Sequence, residues 1–234
     1  MKWPVWIGTT LFAYRSVTPL PVMLGVFLLA APPGGRWLAP RTLAGLLLAL
    51  LGEAVRMLAV GYSAEGTSGR EDYLRAESLN ETGLYSLVRN PLYLGNLAIY
   101  GGLLLVYGHL LALVLGVALL AAQYWFIVAA EEDYLRKGYG EAFAAYCRRI
   151  PRFLPKLRRP VRPPVPFQWR KVLFKENDSL FNLLVVFLLV LAWRPPRLSP
   201  ARPHFLIWIL AFSSLVLLYL GIKIAKRRAR REVS

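Results

Sequence analysis

The sequence predicts an all-α, polytopic integral membrane protein with about six transmembrane helices and a cytosolic amphipathic segment. Three observations carry this. Hydrophobic residues make up 56% of the 234, and mean hydropathy is +0.44. Lys and Arg outnumber Asp and Glu by 29 to 13, for a net charge of +16. These basic residues flank long apolar runs. A soluble domain with that apolar content would be hard to keep in solution, and a nucleic-acid binder would spread its charge over a polar surface. Neither class fits. One cysteine, Cys147, excludes an internal disulfide and leaves the redox compartment open. The first apolar run carries Arg15 and lacks a small-residue cleavage site, so no signal peptide is expected.

The clearest spans are Leu38–Tyr62, Leu92–Tyr107, His109–Ala130, Leu180–Trp193 and His204–Ile222. The shorter run Val17–Ala31 would be about 22 Å long as a helix, against a hydrocarbon core of roughly 30 Å. It spans by recruiting Trp6–Tyr14 or by tilting, or else it is re-entrant. With both termini cytosolic, 22 of the 29 basic residues fall inside, which satisfies the positive-inside rule. The polar connections 63–90 and 131–178 then face the cytosol, and the turn at Gly108 makes spans three and four a tight hairpin. Residues 1–155 read as a core, 156–178 as a basic, Pro-rich cytosolic linker, and 179–234 as a two-helix extension with a basic tail. Linker and tail suit contact with anionic lipid.

GLYSLVRNPLYLGN, Gly83 to Asn96, opens the third span. Asn is a good N-cap and Pro is favoured at the first helical position, so Asn90-Pro91 starts a helix whatever else it does. Arg89 is an ordinary positive flank or a ligand. Tyr93, Tyr100 and Tyr107 share one face at seven-residue spacing. Gly95, Gly101 and Gly102 allow close helix approach. Within the second span, Glu53 and Arg56 are three apart and able to pair on one face.

After the fourth span comes EEDYLRKGYGEAFAAYCRRIPRFLP, Glu131 to Pro155. Leu135, Tyr139, Phe143, Tyr146 and Ile150 form one apolar face of an interfacial amphipathic segment, broken near Gly138 and Gly140. The Glu131-Glu132 doublet stands at the negative end of a helix dipole, where acids are disfavoured. It either pairs with Arg89 across the hairpin or binds a ligand, and the two do not exclude each other.

Together these motifs resemble the membrane-embedded methyltransferase superfamily that includes isoprenylcysteine carboxyl methyltransferases and phospholipid N-methyltransferases. That superfamily shows Arg-His/Asn-Pro-x-Tyr-x-Gly opening one helix of a hairpin, then Glu-Glu-x-x-Leu after the next. Phe/Tyr-Gly-x-x-Phe/Tyr-x-x-Tyr and Pro-Arg-aromatic-x-Pro follow. Here the counterparts are Arg89-Asn90-Pro91-Leu92-Tyr93-Leu94-Gly95 and Glu131-Glu132-x-x-Leu135. Tyr139-Gly140-x-x-Phe143-x-x-Tyr146 and Pro151-Arg152-Phe153-Leu154-Pro155 complete them. The match covers roughly residues 78–155. Asn90 stands where the eukaryotic carboxyl methyltransferases carry His, and the motifs are silent on the last two spans.

The resemblance implies S-adenosylmethionine as cofactor, a lipid or lipid-linked acceptor, and no metal. It implies catalytic roles for Arg89 and Glu132, and cofactor contacts from Arg89, Asn90, Tyr93, Gly95, Glu131, Glu132, Tyr139, Phe143 and Tyr146. Arg89 suits the cofactor's carboxylate, the glutamates its ammonium or ribose, and the aromatics its adenine or sulfonium. A carboxylate acceptor needs no base, whereas an ammonium must lose a proton. No base is evident, since His109 and His204 fall on the outer side, so carboxylate chemistry is favoured, although a glutamate would serve. Two alternatives stand beside this: a nicotinamide-dependent lipid or sterol reductase of related fold, and a non-catalytic lipid-binding or scaffold protein.

The orientation has a direct test. A cysteine placed near Arg230 in the tail should be shielded from an impermeant thiol reagent in intact cells, and labelling from outside would invert the topology.

Overall fold

The computed structural model describes residues 3–15, 17–29, 40–64, 78–192 and 205–231. Among the described residues the regular elements are helices: α1 (Trp3–Ala13), α2 (Pro19–Leu29), α3 (Pro40–Gly61), α4 (Pro91–Tyr107), α5 (Leu110–Arg149), α6 (Trp169–Ala192) and α7 (Phe205–Arg231). A 3-10 turn at Leu84–Ser86 and an isolated bridge between Gly83 and Val161 complete them. By length and composition α3 and α5 are able to cross a membrane. The other apolar helical stretches are shorter: Pro4–Ala13, Pro19–Leu28, Pro91–Tyr107, Ser179–Leu188 and Phe212–Ile224. Leu47 and Leu51 on α3, Leu110, Val114 and Leu119 on α5, and Leu217 and Leu218 on α7 are exposed. An apolar exterior of that kind suits hydrocarbon rather than water.

The first expected span divides in two. Pro19 has no amide hydrogen and disfavours helical geometry in the residue before it, so the chain turns at residues 14–15 and 17–18 before α2 begins. The Arg15 side chain donates to the Phe12 carbonyl at 2.8 Å, satisfying an acceptor that the end of α1 leaves open. α1 and α2 both pack on α5. Gln123 of α5 donates to Thr18 Oγ1 at 2.7 Å, and the Tyr107 hydroxyl donates to the Phe27 carbonyl at 3.0 Å. The far end of the expected span, residues 30 and 31, lies outside the described residues.

α3 and α4 form the most extensive contact in the bundle. Its basis is a glycine seam, with Gly45 and Gly52 on α3 facing Gly102 and Gly95 on α4. A Cβ on Gly95 would stand 2.8 Å from the Gly52 carbonyl oxygen and 2.7 Å from Arg56 Cγ. Only bare backbone permits that approach, which maximises van der Waals contact where lipid supplies no hydrophobic drive. α4 and α5 are the expected antiparallel hairpin. Gly108 takes the left-handed conformation (φ 83°) that ends α4, and the His109 side chain accepts from the Ala112 amide to begin α5. α5 continues through the amphipathic segment, 40 residues in all, with its break at Gly140 (φ 50°, ψ −121°).

The stretch expected as a linker is tied down along its length. Lys156 N donates to the Leu87 carbonyl at 3.0 Å, Val161 N to Ser86 Oγ at 2.9 Å, and Gln168 N to the Gly61 carbonyl at 3.0 Å. α6 then starts at Trp169, inside that stretch, and its first turns pack on α3 and α4. Glu176 is buried there and accepts from Arg56 Nε at 3.0 Å and Nη2 at 2.7 Å, while Arg56 Nη1 donates to Asn96 Oδ1 at 2.5 Å. Arg56, which sequence spacing pairs with Glu53, is thus held by a residue 120 positions away, because the guanidinium extends across the seam towards α6. Glu53 adds its charge nearby and accepts from Ser179 at 2.9 Å.

This buried pair sets a stability test. Glu176→Gln should cost about 3–5 kcal/mol, because it strands a buried guanidinium, and the double variant with Arg56→Met should recover much of the loss. Unfolding in detergent, followed by circular dichroism, reads both.

Candidate functional site

α4 carries polar side chains one turn apart down a single face: Asn90 at its start, then Tyr93, Asn96 and Tyr100. Arg89 stands just above them. Asn90, Tyr93 and Asn96 each meet a partner from a different segment, so this mouth of the bundle is built in layers.

The first layer centres on Glu132, which is buried. Arg152 grips it in a two-pronged contact, Nε to Oε1 at 3.1 Å and Nη2 to Oε2. Arg89 Nη1 approaches Oε1 at 3.2 Å, so the pairing of the acidic doublet with Arg89 across the hairpin is present. Two guanidiniums share one carboxylate, which leaves the cluster with excess positive charge. Arg89 Nη1 also contacts Cys147 Sγ at 2.6 Å, and its backbone amide donates to the Pro151 carbonyl at 2.9 Å. Its Nε is buried without a hydrogen-bond partner. A buried donor left unmade is costly, and its natural complement is an anion. Arg152 further stacks its guanidinium 4.9 Å from the Trp125 ring centroid.

Asn90 occupies the N-cap position with Pro91 following, as the sequence predicts, but its side chain does not cap. It donates instead to the Arg152 carbonyl at 3.1 Å, binding the start of α4 to the segment that follows α5.

The second layer lies one turn deeper. The Tyr93 hydroxyl donates to Glu131 Oε1 at 2.7 Å, and the Tyr93 ring lies against Tyr124 with centroids 5.2 Å apart. The third is the Arg56–Glu176–Asn96 group. Adjacent residues on a helix point about 100° apart, which is why Glu131 and Glu132 address different layers.

The aromatic residues of α5 are brought together beyond these. Phe143, Tyr146 and Ile150 form a small buried cluster, with Leu79, Leu135, Tyr139 and Cys147 packed on it. The Tyr146 hydroxyl donates to the Tyr85 carbonyl at 2.7 Å. Burial pushes the Tyr85 and Tyr146 phenols well above their usual range, so both stay protonated. Phe143 and Tyr146 fix the amphipathic segment against the loop before α4, and Tyr139 stands half-exposed at the rim. Gly95 lies in the α3–α4 seam, under the Arg56 side chain.

The structure therefore gathers Arg89, Asn90, Glu132, Tyr93 and Glu131 at one mouth, and it places Gly95 and the buried aromatics in packing positions. Sequence reasoning did not assign Arg152, Cys147, Asn96 or Glu176 to this region. Arg152 had a signal, since it sits in the closing Pro-Arg-aromatic-x-Pro motif. Glu176 had only its buried charge at the start of an apolar helix.

The described residues thus form a helical bundle with a glycine seam between α3 and α4 and an arginine–carboxylate cluster at the mouth of the α4–α5 hairpin. Residues 40–142 match the model of the phospholipid methyltransferase family. The chain is 34% identical over 109 residues to a phosphatidylethanolamine N-methyltransferase of Laccaria bicolor, covering 45% of this chain and 12% of that protein. It is 32% identical over 123 residues to the cobalt-zinc-cadmium resistance protein CzcN of Cupriavidus metallidurans, covering 53% of each. The similarity thus spans about half the length of one relative and an eighth of the other.

Because Asn90 ties rather than caps, Asn90→Ala should cost about 1 kcal/mol, and Asn90→Ser, a good cap, should not restore it. Thermal unfolding of the two variants measures this. Full recovery by serine would return Asn90 to a capping role.

Proposed function

We propose that this chain is a multi-pass membrane protein of six spans that transfers a methyl group from S-adenosylmethionine to a lipid-borne acceptor at the cytosolic face. The observation that carries the reading is the Glu132 cluster, two guanidiniums on one buried carboxylate with a buried Arg89 Nε left over. Excess positive charge and an orphan donor suit the carboxylate of an amino-acid moiety. The residues present therefore fit the cofactor, and the family match over residues 40–142 supports the same reading.

In this reading Arg89 holds the cofactor carboxylate, with Arg152 beside it. Glu132 keeps both guanidiniums oriented, and the Asn90 tie to the Arg152 carbonyl holds the mouth in register. Tyr139, half-exposed on the amphipathic segment, covers the base. When bound, S-adenosylmethionine supplies an electrophilic methyl carbon on a sulfonium. The protein's part is alignment and exclusion of water: the amphipathic part of α5 closes the site from the cytosol, and the acceptor reaches it laterally from the bilayer. The exposed Lys156, Arg159 and Arg162 after α5, with Arg170 at the start of α6, offer a surface to anionic lipid.

Calorimetric titration with S-adenosylhomocysteine tests the reading. The parent should bind saturably. Arg89→Lys keeps the charge but loses the fork, and it should weaken binding by roughly ten- to a hundredfold, the worth of a charge-assisted contact of about 1.5–3 kcal/mol. No binding by the parent would favour a scaffold or a reductase.

A further inference from the structure

The stretch between α5 and α6 runs antiparallel to the residues that lead into α4, and hydrogen bonds pin the two together. The Arg89 amide donates to the Pro151 carbonyl at 2.9 Å, Lys156 N to the Leu87 carbonyl at 3.0 Å, and Gly83 N to the Val161 carbonyl at 2.8 Å. Val161 N donates to Ser86 Oγ at 2.9 Å, and Arg158 Nη2 to the Ser86 carbonyl at 2.8 Å. Arg152, on the same stretch, holds Glu132, which Arg89 also meets. Beyond it the side chains are bare. Residues 154–162 are all exposed, Leu157 completely and Leu154 by 81%. Lys156, Arg159 and Arg162 stand among them, with Arg170 and the exposed Trp169 at the start of α6. None of these four basic side chains pairs with an acid among the described residues. The sequence holds no Asp or Glu between Glu141 and Glu176.

The level of this stretch is set by α3, which is long and apolar enough to cross a membrane. Gln168 N donates to the carbonyl of Gly61, the last residue of α3, at 3.0 Å. The stretch therefore lies where a spanning helix leaves the apolar layer. At that depth leucine and tryptophan enter the interface while lysine and arginine meet lipid phosphates. A nucleic acid or an acidic protein would complement the charge but leave the leucines in water. We propose that an anionic bilayer surface docks this stretch and, through its hydrogen bonds to residues 83–89, fixes Arg89 in place above α4. Hydrogen bonds at the edge of a bundle open together when the segment that makes them lifts away. A surface that binds only the seated form opposes that opening by mass action. Each basic group near such a surface is worth about fivefold in binding. The effect holds whatever reaction the site carries.

The test is hydrogen exchange of the peptide covering residues 84–90, in the full chain held in nanodiscs of phosphatidylcholine alone or mixed with phosphatidylglycerol. Phosphatidylglycerol should slow exchange in the parent by roughly tenfold. Lys156→Gln, Arg159→Gln, Arg162→Gln and Arg170→Gln combined should abolish that gain, with Arg158 left in place because it bonds to Ser86. The variant in the same discs shares the lower surface pH, so the difference between variant and parent is the measure. Leu157→Ser keeps every charge and should lose part of the gain, and high salt should remove most of it in the parent. Three results overturn the proposal. One is equal exchange of the parent in both discs, and another is a gain retained in the quadruple variant. The third is the full gain in Leu157→Ser together with the same gain from a soluble polyanion in phosphatidylcholine discs, which would make the stretch a plain anion site. Exchange is read without cofactor, so none of these outcomes bears on the methyltransferase reading.

Discussion

The Glu132 carboxylate, buried and shared by Arg89 and Arg152, is the contact on which the mouth of the bundle depends. It joins three segments of the chain: the start of α4, the middle of α5 and the stretch that leaves α5 at Arg152. A buried charge must be paired and hydrogen-bonded or it is expelled, so each segment is held by the need to satisfy this one group. The neighbouring main-chain bond from Arg89 to Pro151 and the Asn90 tie to Arg152 then follow from the same alignment. With two cations on one anion, the cluster favours an additional negative charge, and this links the folding constraint to the proposed chemistry.

The same reasoning extends down α4. Polar groups within an apolar bundle need internal partners, and here two successive turns of α4 find theirs on different helices. Tyr93 meets α5, and Asn96 meets Arg56 of α3, which is in turn held by Glu176 of α6. The glycine seam makes this possible, because Gly95 gives the Arg56 side chain room to lie across α4. A motif glycine that the sequence offers as a cofactor contact thus has a packing task. α6 is also tied to the matched region, although the family match ends at residue 142 and does not include it.

Residues adjacent in sequence take different roles for a simple reason. Glu131 and Glu132 are separated by one helical step, which turns one towards two arginines and the other towards a phenol. Phe143 and Tyr146 lie on the apolar face that the sequence identifies, and the helix uses that face for a core of its own. Apolar periodicity specifies a buried face and does not specify what buries it.

The sequence by itself determined the helical class, the α4–α5 hairpin and its turn at Gly108, and the break at Gly140. These are local consequences of apolar run length and of backbone preference. It also singled out Arg89, Asn90, Glu131 and Glu132, because polar residues at the edge of an apolar run stand out against their surroundings. Only the tertiary structure decided which charges meet. The Arg56–Glu176 pair joins residues separated by 120 positions, and spacing along a helix points only to Glu53, because it registers only near neighbours. The division of the first expected span before Pro19, and the hydrogen bonds that anchor Lys156, Val161 and Gln168, likewise depend on what α5, the 3-10 turn and α3 offer them. Pairing across a bundle is set by helix approach, and no local pattern in the chain encodes that distance.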